Sequence, residues 1–343
     1  MNLKELSNHL GLSQTTVSRA LNGFPEVNEA TRRKVLEAAQ QHNYAPNRRA
    51  KSLATGRAMS IGHVIPVTVK HEMVNPVFAD FIAGAGETYS NAGYDMLLSV
   101  VRDDDEEQAY RNMARKGSVD GVILHSPREK DPRLNLLTEL GLPFVVHGRI
   151  GDESAPYSWL DINNGHAFER ATDLLLDLGH TRIAMINGLE YMDFARRRRL
   201  GYETALKNRA IVPDPIICFS DEMTEQNGFY RTMELLSQDN APTAILVSSY
   251  ISAIGVGRAI EKSGYRIGQD ISVVTHDDDL SFLRNGDDIP TFTATRSSVR
   301  DAGQRCAEIL LSQIEGTSSP PVQELWEVKL MLGHSTGPCR PQQ

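Results

Sequence analysis

From residue 60 onward, short apolar runs alternate with longer segments of helical periodicity, and this alternation constrains the fold more than any other feature. Continuous apolar strands separated by helices are typical of parallel sheets that are covered on both faces. The predicted strands are residues 61–66, 96–101, 121–125, 144–147, 183–187, 216–219, 244–248 and 271–276. The predicted helices are residues 77–91, 106–116, 165–178, 196–207, 225–237 and 252–262. About ten strands over roughly 280 residues favour two doubly wound lobes over one sheet.

We expect the chain to cross from one lobe to the other first at residues 161–163. Ile289-Pro290 and Glu324-Leu325 are the candidates for the return crossings.

The first 45 residues have a different, all-helical pattern. Asn2, with Glu5 three residues on, has the spacing of a capping box and predicts a first helix that ends at Gly11. The second and third helices are predicted from Gln14 to about Asn22 and from Glu29 to about Asn43, after the capping residues Ser13 and Asn28. Pro46 ends this region, which we call the head (residues 1–46).

Two short helices joined by a glycine turn, the second rich in Gln, Thr, Ser and Arg, fit a helix-turn-helix. Gln14 can pair with adenine and Arg19 with guanine through two hydrogen bonds each, and Thr15 can donate to a base or contact a thymine methyl. Phosphate contacts fix position rather than sequence, and the short donors suited to them are Thr16, Ser18 and Asn22. A three-helix bundle with a polar exposed face would show the same spacing.

The charge distribution favours a polyanionic partner at the N-terminal end. The formal net charge is −8, but residues 1–60 hold nine Lys/Arg against four Asp/Glu and carry +5, which leaves −13 for the remainder. Such asymmetry is typical of a chain that binds nucleic acid at one end.

Residues 11–22, 27–35 and 43–47 resemble the head of the LacI/GalR family of bacterial transcription regulators, and the resemblance covers essentially the whole chain. It implies that Gln14, Thr15 and Arg19 read bases. It also implies a hinge helix that orders on operator DNA, with Ala50, Lys51 and Leu53 at the minor groove. Leu53 would act as an apolar wedge that unstacks a base step, and Ala50 would allow close backbone approach. The alternative for Leu53 is a buried linker leucine.

The same resemblance implies three parts: the head, a hinge helix and linker at residues 47–59, and a body at residues 60–343. The expected fold class is therefore multidomain, with an all-α head and an α/β body shaped like a periplasmic sugar-binding protein. The body would bind an effector between two doubly wound lobes and would also form the dimer.

Candidate effector-binding residues follow from positions that match the family. Arg198 precedes Gly201 by three residues, and its guanidinium can bind two adjacent sugar hydroxyls or a carboxylate. Aromatic residues such as Phe78, Tyr191 and Phe194 could contact the apolar face of a sugar. The full set of candidates is Phe78, Arg149, Phe194, Arg198, Tyr250 and Asp277.

Two departures from the family pattern concern this cavity. Residues 248–250 read Ser-Ser-Tyr where many members carry Ala-Asn-Asp, and His276 replaces a usual aromatic residue. We therefore expect either an unusual effector or a reshaped cavity.

The sequence thus favours a homodimeric, cytoplasmic repressor of carbohydrate uptake or catabolism genes, which reads a pseudo-palindromic operator and responds to a small molecule. A sugar is the expected effector, with an α-glucoside as one candidate. An effector-dependent activator, or a regulator that senses a purine or a sugar phosphate, stays open.

Other classes of protein fit less well. A solute-binding protein would need a secretory signal and no basic head. Gly255 and Gly257 lack the third glycine of a dinucleotide fingerprint, and no phosphate loop, nucleophile elbow or metal motif is present. The three cysteines are widely spaced, and no apolar run approaches the roughly 20 residues of a membrane span. We expect no catalytic residues, no metal and no cofactor.

Overall fold

The computed structural model describes residues 1–21, 23–44, 56–66, 75–151, 156–276, 279–317 and 321–340. The chain divides into two compact units, Met1–Met59 and Ser60–Gln343. The candidate hinge residues Ala50, Lys51 and Leu53 lie outside the described residues, as do Asn22 and Asp277.

Three helices form the head: α1 (Leu3–Leu10), α2 (Gln14–Leu21) and α3 (Glu29–Gln41). The predicted capping box is confirmed, because the Glu5 amide donates to Asn2 Oδ1 over 3.0 Å and the Asn2 amide donates to the Glu5 carboxylate over 2.9 Å. The Thr31 amide likewise donates to Asn28 Oδ1 over 2.8 Å. A small apolar core holds the three helices together, and its buried members include Leu6, Val17, Ala20, Val35 and Ala39.

The body contains the remaining elements. Its strands are β1 (Ser60–Pro66), β2 (Asp95–Val101), β3 (Gly121–Leu124), β4 (Phe144–His147), β5 (Ser158–Ile162), β6 (Ile183–Asn187), β7 (Cys218–Ser220), β8 (Ala244–Val247), β9 (Ser272–His276), β10 (Thr293–Arg296), β11 (Gln323–Trp326) and β12 (Lys329–Met331). Its helices are α4 (Pro76–Asn91), α5 (Glu106–Lys116), α6 (Pro132–Glu139), α7 (Asn164–Asp177), α8 (Asp193–Asn208), α9 (Glu225–Leu236), α10 (Tyr250–Lys262) and α11 (Val299–Glu315).

The two sheets have the same winding. The first lobe has the strand order β11-β5-β4-β3-β1-β2 and the second β12-β10-β9-β8-β6-β7. Neighbouring strands are parallel except for the β10–β12 pair. This is the doubly wound arrangement, in which ligands bind beyond the carboxyl ends of the strands where the order reverses. The predicted fold class is confirmed.

Burial on both faces explains the continuous apolar strands. Along β6, Ile183 and Met185 belong to one core cluster of the second lobe, whereas Ala184 and Ile186 belong to the cluster on the opposite face. Successive side chains of a strand point to opposite faces. When helices cover both faces of the sheet, every side chain of the strand is buried and the strand is an almost continuous apolar run.

The chain crosses between the lobes three times. Asn163 joins β5 of the first sheet to α7 of the second lobe, as predicted. The two predicted return crossings are wrong by a few residues. Pro290 stays in the second lobe, where its carbonyl accepts from the His334 amide over 3.0 Å, and the crossing occurs at Ser297 and Ser298 before α11. Leu325 lies inside β11, and the last crossing follows at residues 327–328.

Two glycines let α4 and α11 pack closely in the first lobe. A Cβ on Gly84 would lie 2.1 Å from the Arg300 carbonyl oxygen, and a Cβ on Gly303 would lie 2.2 Å from the Phe81 carbonyl oxygen. Both distances are far below a van der Waals contact. Any larger residue would therefore push the two backbones apart.

Gly84→Ala is expected to lower the free energy of unfolding by about 1–3 kcal/mol, because the added methyl group overpacks this interface. Gly86→Ala, on the same helix, is the matched control, since its Cβ would lie 3.5 Å from Met96 Cε. The control should be neutral or up to about 1 kcal/mol more stable through helix propensity. Urea denaturation followed by tryptophan fluorescence reports on this lobe, because Trp159 and Trp326 lie in β5 and β11. Equal effects of the two substitutions would contradict the packing argument.

Candidate functional site

The second helix of the head presents its polar residues outward. Val17 and Ala20 are buried, whereas Gln14, Thr15 and Arg19 are exposed. Thr15 and Arg19 lie four residues apart and therefore share one face of α2. The three candidate base-reading side chains are thus exposed on α2, with Gln14 and Thr15 in its first turn and Arg19 in its last.

Thr16 and Ser18, the candidate phosphate contacts, are half-buried beside that exposed face. The Thr16 amide donates to Ser13 Oγ over 3.0 Å, and the two hydroxyl oxygens lie 2.8 Å apart. Ser13 therefore caps α2, as its position predicts.

A cavity of about 200 Å³ lies between the two lobes of the body. It is located at the carboxyl ends of the strands, since His125 follows β3, His147 ends β4 and Ser248 follows β8. Topology alone predicts a ligand site at this place in a doubly wound fold.

Arg198 is the buried cation of this cavity, with 6% of its surface exposed. Its Nε donates to Asn164 Oδ1 and its Nη1 to the Ser248 carbonyl oxygen, each over 2.7 Å. The guanidinium also lies 4.8 Å from the ring centre of Phe194 and 5.3 Å from that of Phe168. These contacts hold the side chain in one orientation at the cavity wall.

The other arginines of the run at the start of α8 have structural partners. Arg197 pairs with Asp193, and Arg199 Nε donates to Glu203 over 2.7 Å. Arg196 lies 3.6 Å from Glu129 of the first lobe. Among these four neighbours, Arg198 alone lines the described cavity.

Aromatic rings reach the cavity from both lobes. Phe78 and Phe81 project from α4 of the first lobe, and Phe194 from α8 of the second. The Phe81 ring stacks on His147 with 4.3 Å between ring centres, while Phe78 meets His125 edge-on at 5.3 Å. The cavity therefore combines apolar faces with fixed polar groups, as small-molecule sites do.

Asp161 is a buried carboxylate at the cavity wall. It accepts from Arg149 Nε over 2.9 Å and from Asn164 Nδ2 over 3.3 Å. Burial raises the pKa of Asp161 to about 6, although the positive charge of Arg149 acts in the opposite direction. Desolvation of the carboxylate is thus the dominant effect.

Direct contacts join the lobes beside the cavity. The Asp193 amide of the second lobe donates to the Pro127 carbonyl oxygen of the first lobe over 2.9 Å. The Ser281 amide donates to Asp80 of α4 over 2.7 Å. A ligand that changes the distance between the lobes must therefore act on these bonds.

Models of known protein families match both units of the chain. The model of bacterial regulatory proteins of the lacI family matches residues 2–47, and that of the periplasmic binding protein-like domain matches residues 172–336. The HTH-type transcriptional regulator AglR of Rhizobium meliloti (strain 1021) is 43% identical over 339 residues, which cover 99% of this chain and 95% of that protein. The chain belongs to the LacI family.

Two solved structures of similar proteins cover almost the whole chain. The Lac repressor dimer bound to operator and the anti-inducer ONPF has 27% sequence identity and a TM-score of 0.83, over 98% of this chain and 99% of that one. A transcriptional regulator CelR–cellobiose complex has 28% identity and a TM-score of 0.72 over the same shares. As a LacI-family member, the chain is a DNA-binding transcriptional regulator with an effector-binding body.

Some of the candidate effector-binding residues of this LacI-family chain line the cavity, and others do not. Phe78, Phe194 and Arg198 line the cavity together. Arg149 does not line it directly but holds Asp161, which does. Tyr250 was placed wrongly, because its ring packs in the second-lobe core and its hydroxyl donates to the Arg284 carbonyl oxygen over 2.8 Å. Tyr191, proposed for the aromatic wall, is 53% exposed and is absent from the described lining.

Several lining residues were not predicted as such. Asn164 follows the first crossing, and its amide oxygen holds Arg198. Ser248 and Ser249 line the cavity, so the departure from the family pattern alters its wall rather than removing it. His125 and His147 come at or just after strand ends, and that position was the available signal for them.

Within the described residues, no helix is both long and apolar enough to cross a membrane. The same part of the chain contains no group of three or more His, Cys, Asp or Glu side chains arranged to hold a metal ion.

The raised pKa of Asp161 predicts an unusual pH dependence of stability. The folded protein takes up this proton near pH 6, whereas the unfolded chain does so near the ordinary value of 3.8. The cost of the buried charge is therefore present at pH 7 and is lost as the pH falls through 6 towards 4. Relative to Asp161→Asn, the wild-type protein should gain roughly 2–3 kcal/mol between pH 7 and pH 4. Urea denaturation across this range measures the difference, and a constant difference would contradict the assignment.

Proposed function

We propose that the chain is a repressor of carbohydrate uptake or catabolism genes, released from or held on its operator by a sugar bound between the lobes. The supporting observation is the cavity, which combines the fixed guanidinium of Arg198, beside the Phe194 ring, with a lining of aromatic rings from both lobes. Such a site can bind sugar hydroxyls at its polar groups and sugar carbon faces at its rings. The cellobiose bound to CelR supports a disaccharide as the ligand class.

The charges of the cavity favour an uncharged sugar over a sugar phosphate. Among the described lining residues, Arg198 is accompanied by the carboxylates Asp161, Asp221 and Glu222. Asp161 and Asp221 are paired with Arg149 and Arg231 over 2.9 and 2.7 Å. A dianionic phosphate would need a surplus of positive charge that this wall does not provide. A purine also fits aromatic walls and is the second candidate for the effector screen.

We further propose that the chain acts as a homodimer on a pseudo-palindromic operator. The edge strand β2 exposes Leu97, Leu98 and Val100, which a second copy could cover. A two-fold dimer presents two heads, so the DNA site should be two-fold as well. The dimeric Lac repressor on its operator supports this assembly.

In this proposal the chain binds and releases ligands without catalysis and works in the cytoplasm, where bacterial DNA is found. Its relatives are transcriptional regulators, which supports a non-enzymatic role. The ligand would favour one arrangement of the lobes, and residues 47–59 would transmit that change to the head.

Arg19→Ala should reduce discrimination at one base pair of the operator by about 1–3 kcal/mol, because a base contact is lost. Arg33→Ala is the control, since Arg33 is an exposed arginine of α3 paired with Glu37 and its loss removes the same charge. Fluorescence anisotropy measures the affinity of both variants for an operator selected from random DNA and for single-base variants of that operator. The affinity of the wild-type protein for the operator should fall steeply as salt is added, and two chains should bind each operator. Equal loss on all sequences would assign Arg19 to a phosphate instead.

Arg198→Ala should abolish the response to the effector and leave operator affinity unchanged, because the side chain lies in the cavity wall. Arg199→Ala is the matched control, as this neighbour pairs with Glu203. A thermal-shift screen of disaccharides, monosaccharides, sugar phosphates and purines identifies the effector. A ligand at 100 times its Kd should stabilise the wild type by about 2.7 kcal/mol. An unchanged ligand shift in Arg198→Ala would refute the cavity assignment.

A further inference from the structure

Three buried side chains form a chain of hydrogen bonds that leads from the cavity into the first lobe. His125, at the cavity wall, has its Nε2 2.9 Å from Nδ1 of His63. His63 is fully buried in β1, and its Nε2 lies 3.3 Å from the Tyr89 hydroxyl of α4. We call this series the imidazole chain.

Both imidazoles of the chain are neutral at physiological pH. Burial lowers the pKa of His63 to about 3. Burial also holds the pKa of His125 well below its ordinary value, and the neighbouring His63, His147 and Arg133 lower it further. A neutral imidazole has one N–H donor and one bare acceptor nitrogen, so the tautomer of each ring determines that of the next.

The Tyr89 hydroxyl decides which of the two tautomers is favoured. Within the described residues its single hydrogen-bond partner is His63 Nε2. Burial raises the pKa of Tyr89, so the hydroxyl keeps its proton. If that proton is donated to His63 Nε2, His63 donates from Nδ1 to His125 Nε2. In the opposite tautomer, the buried hydroxyl proton has no acceptor, which disfavours that state by roughly tenfold or more.

The remaining ring nitrogen of the imidazole chain, Nδ1 of His125, faces the effector site. Within the described residues, His125 Nδ1 has no hydrogen-bond partner. It is not one of the fully buried side-chain nitrogen and oxygen atoms that lack a partner, so part of its surface is accessible. The residue itself is 6% exposed and lines the cavity. Nδ1 is therefore open to the cavity and available to a ligand.

We propose that Tyr89 and His63 are positioning residues that hold His125 with its proton on Nδ1, so that the first lobe offers the effector one uncharged N–H donor. The effector then presents an oxygen acceptor at this point, such as a sugar hydroxyl oxygen. The tautomer itself follows from the protein alone, and only the ligand contact rests on the proposed sugar effector. Arg198 supplies the charged donor from the second lobe, so the two lobes recognise different atoms.

The first test needs no ligand. In protein labelled with ¹⁵N-histidine, long-range ¹H–¹⁵N correlation spectra distinguish a protonated from a bare ring nitrogen, with His125→Phe identifying the signals. We expect a protonated Nδ1 and a bare Nε2 for His125. Tyr89→Phe should give comparable populations of both tautomers, because the bias is removed. Tyr202→Phe is the matched control: it deletes a buried hydroxyl that donates to the Ile183 carbonyl oxygen over 2.8 Å in the second lobe.

A bare Nδ1 on His125 in the wild-type protein would overturn the proposal. So would an unchanged tautomer in Tyr89→Phe. The first of these two outcomes is read from the wild-type spectrum alone, once the His125 signals are assigned.

The second test uses maltose and cellobiose as probes in isothermal titration calorimetry. For each sugar that binds, Tyr89→Phe should weaken binding about twofold, since the competent tautomer falls from nearly all to about half of the population. His125→Phe should weaken it about three- to tenfold through loss of the donor. Unchanged affinity in His125→Phe would overturn the ligand contact. If neither sugar binds the wild type, the proposed effector class fails, while the spectra still decide whether the imidazole chain sets the tautomer.

Discussion

Three crossings of the chain join the two lobes, and the behaviour of the cavity depends on them. They lie at Asn163, at Ser297 and Ser298, and at residues 327–328. The first and last are tied together, because Asn163 Nδ2 donates to the Glu327 carboxylate over 2.6 Å. Asn164, which follows the first crossing, and Ser297, which lies in the second, line the cavity. A ligand therefore touches the segments about which the lobes can move, and a contact there can favour one arrangement over another.

The shared winding of the two sheets explains why the recognition groups converge. In both lobes the loops after the central strands open on the same cleft. His125, which follows β3, and Ser248, which follows β8, therefore line the same cavity. The polar groups are held before any ligand arrives: Asn164 and Ser248 fix Arg198, and Arg149 fixes Asp161. A preorganised wall of this kind loses little conformational freedom on binding.

Elements whose burial dictates their composition could be predicted from the sequence, and elements whose composition is set by other contacts could not. Strands with two buried faces gave clear apolar runs, whereas β5 and β10 contain polar residues and left no such signal. Pro290 suggested a crossing, but the loop around it folds back into the second lobe. Tyr250 matched a ligand position of the family, yet its ring found space in the core. The imidazole chain could not be predicted, because His63 and His125 are 62 residues apart and meet only through the pairing of β1 with β3.

In the proposed mechanism, sugar binding in the cavity and operator binding by the head are thermodynamically coupled. Such coupling must be reciprocal: the factor by which a sugar changes operator affinity equals the factor by which the operator changes sugar affinity. The direct measurement is calorimetric titration of the sugar identified by screening into the protein, with and without saturating operator DNA. We expect the sugar Kd to change by about 5–150-fold when operator is bound, by the same factor as the operator Kd changes with sugar. Identical sugar affinity in both states would contradict it.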